Sequence, residues 1–181
     1  MLISKFGGEN IDDKIEILED VMENNMPEQL QIFLKKYNGG ETPNTKFSCN
    51  GVSSDVKGFY GVGEVKYSYD DIKALGYKGD VYLPVAFDSF GNEILISLET
   101  GIIFFRNHEN GGIKKLAVDL REFIKHCEST EINLAARKSV EEREIELIKR
   151  GRGNIVTDAL REMWKAEINK YASINQEEVN I

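Results

Sequence analysis

Histidine, cysteine, tryptophan and proline are all scarce in this 181-residue chain: two His, two Cys, one Trp and three Pro. Two cysteines, Cys49 and Cys127, leave room for one disulfide at most and lack metal-type spacing, so the expectation is a reduced, cytoplasmic protein. Neither His108 nor His126 has a His-x-x-x-His or Cys-x-x-Cys companion, and a zinc site needs three or four converging ligands. No stretch of 18 apolar residues occurs, so no membrane span is expected. The opening Met-Leu-Ile-Ser-Lys-Phe-Gly-Gly has no apolar core of signal-peptide length, which predicts no leader. Gly61-Val62-Gly63 starts like a dinucleotide loop, but Glu64, Val65 and Lys66 follow, and no Gly-Lys-Ser/Thr phosphate loop exists.

Charge of one sign is also short. The chain has 23 Lys and Arg against 31 Asp and Glu, a net −8, and residues 1–136 hold 14 and 22 of these. Residues 137–170 are slightly basic, with nine cations and seven anions, and Glu177 and Glu178 follow. Nucleic-acid affinity rests on neutralising phosphates, so direct nucleic-acid binding is not expected. Lys149-Arg150-Gly151-Arg152 supplies too few cations to change that, and reads as a solvated interhelical loop. An acidic domain suits a basic protein partner, whose encounter it accelerates.

What is present begins with residues 81–108. An apolar run from Val81 to Phe87 reaches an Asp-x-x-Gly-Asn corner at Asp88, Gly91 and Asn92, and Glu93–Leu98 and Ile102–Arg106 follow across short connections. Loops this short allow only an antiparallel meander. Upstream, Pro27 opens a helix in which Leu30, Phe33, Leu34 and Tyr37 form one apolar stripe, and Asn38-Gly39-Gly40 stops it. A first helix is expected from Asp12 to Glu23, with Ile11, Ile15, Leu18 and Met22 inward. Residues 41–58 read as a polar loop with at most a short strand near Phe47, Phe59–Val65 as a strand, and Tyr69–Leu75 as a short helix with Asp70 and Asp71 at its start. Gly76 to Asp80 leads into the meander. Leu116–Val118 is a further short strand, and Asp119 caps a helix running to Cys127.

The remainder changes character. Ser139-x-x-Glu142 is a capping box, opening a helix with Val140, Leu147 and Ile148 inward. A last helix, capped by Thr157, carries Leu160, Met163, Trp164, Ile168 and Tyr171 on one face. The expected organisation is therefore an α+β domain over 1–136, a helical extension over 137–172 that docks on the domain or forms a homodimer, and a flexible tail over 173–181.

Four pieces in order resemble the SUKH superfamily, which includes the fungal cell-wall assembly regulator domain and many bacterial immunity proteins. They are Phe-Leu-x-x-Tyr-Asn-Gly-Gly-Glu ending at Glu41, Gly-Phe-Tyr-Gly-Val at Gly58–Val62, Tyr-Leu-Pro-Val-Ala-x-Asp-x-x-Gly-Asn at Tyr82–Asn92, and a Gly-then-aromatic strand ending near His108. The fold class expected is α+β: a mixed, mostly antiparallel sheet of about five or six strands with flanking helices. The resemblance implies a non-enzymatic immunity protein that binds and neutralises a cognate polymorphic toxin, often a nuclease. No catalytic residue, cofactor or metal is assigned. Glu41, Asp88, Asn92, His108 and Glu109 follow element ends and are the expected partner-binding rim. Two other readings stand beside this one: a regulatory protein-interaction scaffold like the cell-wall regulator, and a small hydrolase using His108 with a carboxylate.

Overall fold

The computed structural model describes residues 1–73, 81–133 and 137–181. They form two compact units, Met1–Glu131 with Gln176–Ile181, and Ile132–Asn175.

The first unit opens with β1 (Leu2–Lys5), α1 (Ile11–Met22) and α2 (Glu28–Tyr37). The apolar stripes expected of both helices are buried: Ile11, Ile15, Leu18 and Met22 on α1, and Leu30, Phe33, Leu34 and Tyr37 on α2. β2 (Gly40–Cys49) and β3 (Val52–Phe59) then pair as a long hairpin where the sequence reading expected a loop. Its polarity comes from having one wet face. Thr45, Phe47 and Cys49 are buried while Lys46 and Ser48 are exposed, the two-residue period of a half-buried strand. Asn50 and Gly51 both have positive φ, as a two-residue hairpin turn of matching twist requires.

After this hairpin the chain bends away. Residues 60–68 are not a strand, which corrects the expectation of one over Phe59–Val65. α3 covers Tyr69–Lys73, and the rest of the helix expected to Leu75, with the turn at Gly76–Asp80, lies outside the described residues. The meander follows as expected: β4 (Tyr82–Phe87), β5 (Glu93–Ser97) and β6 (Ile103–Arg106), joined by β7 (Ile113–Ala117). α4 (Leu120–Lys125), β8 (Cys127–Ser129) and β9 (Glu177–Glu178) complete the unit.

The fold is α+β, and among the described residues the sheet has nine strands, ordered β7-β6-β5-β4-β3-β2-β1-β9 with β8 added beside β2. Every pairing between these strands is antiparallel. Five or six strands were expected. The excess lies in the polar hairpin and in strands of two to four residues that have little room for a pattern. One short strand is β9: the end expected to be a flexible tail pairs with β1 and is held further by Lys36 Nζ donating to the Asn180 carbonyl at 2.9 Å.

Pairing fixes which side chains share a face. Phe59, Ala86, Ile94 and Phe105 lie in one cross-strand row on the core side, whereas the neighbouring row of Gly58, Phe87, Glu93 and Arg106 points the other way. The core joins this first face to α1, α2 and α4, with Phe33 against Phe59 (centroids 5.0 Å apart) and Phe47 against Phe123 (5.4 Å). Full burial of each such ring contributes about 2–3 kcal/mol.

The second unit contains α5 (Val140–Lys149), a 3-10 turn (Gly153–Ile155) and α6 (Asp158–Ala172). The capping box at Ser139 and Glu142 and the cap at Thr157 form as expected. Side chains bridge the two helices: Arg161 binds both oxygens of Glu144, at 3.0 and 2.8 Å, and Arg143 meets Glu167 at 2.8 Å. Val140 and Trp164 are buried, but Ile148, expected to face inward, is exposed, as is Met163. Among the described residues, no helix is long and apolar enough to cross a membrane.

Candidate functional site: a locked corner beside a cleft

Two of the short sequence motifs meet physically. Asn38 ends α2 in the left-handed conformation and is 1 % exposed. Its amide nitrogen donates to the carbonyls of Gly7 (2.7 Å) and Val62 (3.1 Å), and its amide oxygen accepts from Val62 N–H (2.8 Å). A Cβ on Gly61 would sit 2.2 Å from the Asn38 carbonyl oxygen, so only glycine allows this approach. Asn-Gly-Gly and Gly-Phe-Tyr-Gly-Val are thus halves of a clasp between the end of α2 and the loop after β3.

The corner between β4 and β5 is built around a buried carboxylate. Asp88 is 2 % exposed and accepts four hydrogen bonds: from Phe90 N–H (2.9 Å), Asn92 N–H (2.8 Å), Asn92 Nδ2 (2.7 Å) and Ser54 Oγ (2.7 Å). Asn92 passes the network on, its amide oxygen lying 3.0 Å from both the backbone N–H and Nδ1 of His108. Ser89 N–H donates to Asp55 at 3.0 Å, fastening the corner to β3. Gly91 supplies a positive φ of 87° at the turn.

The expected rim residues therefore have different fates. Asp88, Asn92 and His108 are brought together, but the first two face inward and fix the turn. Glu109 is exposed in the next loop, where its N–H donates to Asn107 Oδ1. Glu41 belongs to another contact, an ion pair with Lys66 and a 3.5 Å hydrogen bond from Tyr67. Burial raises the Tyr67 pKa, and the hydrogen bond with Glu41 raises that of Lys66. Tyr69 is fully buried, which pushes its phenol pKa up strongly. Among the described residues, no group of three or more His, Cys, Asp or Glu is placed to hold a metal ion.

What sequence reasoning missed is the residue the corner presents. Phe90 is 68 % exposed and borders an open cleft of about 690 Å³. Lys46, Ser48 and Ser53 on the β2–β3 hairpin line the cleft with Phe90, and Lys125, His126 and Glu128 approach from the end of α4 and from β8. A signal existed: the two positions inside Asp-x-x-Gly-Asn need no apolar side chain, yet one is phenylalanine.

The family model SUKH_6, described as SMI1-KNR4 cell-wall, matches residues 12–124. The chain belongs to this family. A search of curated proteins returned no match. The matched stretch of this SUKH chain runs from α1 to α4 and contains both the Asn38 clasp and the Asp88 corner. The cleft wall formed by Lys125, His126 and Glu128 lies just past it.

Proposed function

We propose that this SUKH chain is a non-enzymatic immunity protein, acting in the cytoplasm by occupying the surface of a cognate polymorphic toxin. The observation that supports it most is the charge of the SUKH unit. Residues 1–131 and 176–181 carry 14 Lys and Arg against 24 Asp and Glu, a net −10, while residues 132–175 carry a net +2. A nuclease-type toxin must present cations to its substrate's phosphates, and a surface of this sign competes for them. Rim carboxylates speed association, and affinity comes from a few buried anchors.

The test is co-expression with the toxin encoded by a neighbouring gene. Growth should be rescued by this chain and by no unrelated acidic protein of equal charge. Charge reversal at the exposed Glu109 and Glu128 should slow association, more so at low salt. Glu41 and Asp88 suit that test less well, because one is paired with Lys66 and the other is buried. Absence of rescue by the wild type would discard the reading. The family's cell-wall description supports a second reading, a regulatory interaction scaffold. That reading is favoured if pull-downs recover cell-wall signalling proteins and no toxin. Turnover of a small compound that is lost on replacing His108 would overturn both.

A further inference from the structure

We propose that Phe90 anchors the partner-binding surface, as a preformed aromatic knob that enters an apolar socket on a basic protein partner. The inference rests on the immunity reading above and identifies its contact. Phe90 is the most exposed of the large hydrophobic residues left in solvent among those described, and the only aromatic one. Single exposed apolar side chains are ordinary, so exposure alone decides nothing.

What distinguishes Phe90 is how firmly its backbone is held. Burying a carboxylate costs several kcal/mol unless hydrogen bonds compensate it. Here four donors compensate Asp88, and one of them is the N–H of Phe90 itself. Ser89 is tied to Asp55, and Asn92 to His108. The loop is therefore ordered before any encounter, and binding need not supply that entropy. A phenylalanine has only two side-chain torsions to fix and offers a large contact area, the traits of an interface anchor.

The charged groups around the ring nearly balance. Asp55 and Glu128 sit opposite Lys46 in the β3–β2–β8 row, Lys125 lies across the cleft, and Glu109 follows His108 on the other side. Attraction of a basic partner then comes from the −10 of the whole unit and acts on the association rate. Phe90 acts on dissociation.

The experiment measures binding kinetics by surface plasmon resonance, with the neighbouring gene's toxin domain, inactivated at its active site, as the probe. The proteins compared are wild type, Phe90→Ala, Asp88→Asn and the double variant. Phe90→Ala should raise Kd about 30-fold or more, mainly through a faster off-rate, with unchanged thermal unfolding. Asp88→Asn should weaken binding when Phe90 is present and add nothing in the Phe90→Ala background, because it acts through the ring. A merely structural role would cost the same in both backgrounds. If Asp88→Asn fails to fold, Ser54→Ala removes one of the four donors and replaces it in the cycle. Wild-type binding together with an unchanged Kd for Phe90→Ala overturns the anchor and leaves the immunity reading standing. No binding by the wild type removes that reading and the anchor with it.

Discussion

Asp119 couples the fold to pH through one carboxylate. It stands before α4, accepting from Glu122 N–H at 2.7 Å and from Gln29 Nε2 at 3.1 Å. The backbone hydrogen bond from Glu122 comes first among the effects that lower its pKa, because that bond is stronger to the ionised form. A carboxyl whose pKa is depressed on folding contributes stability that is present above its unfolded value, near 3.9, and is lost as pH falls through the folded value. Asp119→Ala should cost about 1 kcal/mol at pH 7, the usual worth of such a cap. The gap between wild type and variant should narrow below about pH 4, read by urea unfolding at both pH values. A gap independent of pH would mean that packing, and not the ionised cap, is responsible.

The cysteines make an opposite case at the same scale. Cys49 and Cys127 are free and buried, and burial pushes the Cys127 thiol up to about 12 and raises Cys49 as well. Cys127 Sγ donates to the Phe123 carbonyl, and Cys49 Sγ to the Leu116 carbonyl. Thiolate is the reactive form, so the folded protein should consume almost no Ellman reagent at pH 8 over minutes. Two equivalents should react in guanidinium. Fast labelling of either thiol in the native state would contradict this burial.

Among elements, the joint between the end of α2 and the loop after β3 tolerates least. Gly61→Ala places a methyl group against the Asn38 backbone, which cannot yield as a side chain can. It should destabilise the first unit by about 2–4 kcal/mol, the range of overpacking and lost buried hydrogen bonds. Gly51→Ala at the tip of the β2–β3 hairpin meets no backbone atom and should cost only about 1 kcal/mol, the strain of positive φ. Chemical denaturation of the two variants checks the order, and equal losses would mean that the clasp is not a tight contact. The contrast also marks what the sequence could disclose. α1 and α2 were legible because each carries its periodicity within a dozen residues, and the β4–β6 meander because its apolar runs are separated by short turns. The β2–β3 hairpin was not, although Asn50-Gly51 is a strong turn signal, because polar residues on its wet face outweighed the buried alternation of Thr45, Phe47 and Cys49. The corner was legible as a turn but not in its internal hydrogen bonding. Asp88 and Asn92 were expected on the partner-binding rim, and a sequence does not show that Ser54, 34 positions away, occupies the carboxylate from within. β9 has only two residues, too few for any pattern.

At the scale of the whole molecule, the chain leaves its first unit after Glu131 and returns at Gln176, so residues 132–175 stand as an insertion in sequence. The exit and the return flank one residue. Leu2 N–H donates to Ser129 Oγ at 2.9 Å, and Leu2 pairs with Glu178 in the β1–β9 ladder. Points on either side of one strand lie about 10 Å apart, two interstrand spacings. A linker of about six Gly and Ser residues spans that distance. Replacing 132–175 by such a linker should leave the first unit folded, with its nuclear magnetic resonance amide shifts largely unchanged away from Ser129 and Glu177. Ending the chain at Glu131 is a different perturbation. It removes the Asn180 N–H donor to Tyr37 Oη (2.9 Å) and the carbonyl partners of Lys36 and Arg121, and it leaves the β1 edge unpaired. An open strand edge invites association with another chain. The truncated form should therefore melt several degrees lower and aggregate, whereas the linker form should not. Equal melting temperatures for the two would show that residues 176–181 add nothing to the unit. A linker form that fails to fold would show that the inserted helices are needed to hold it.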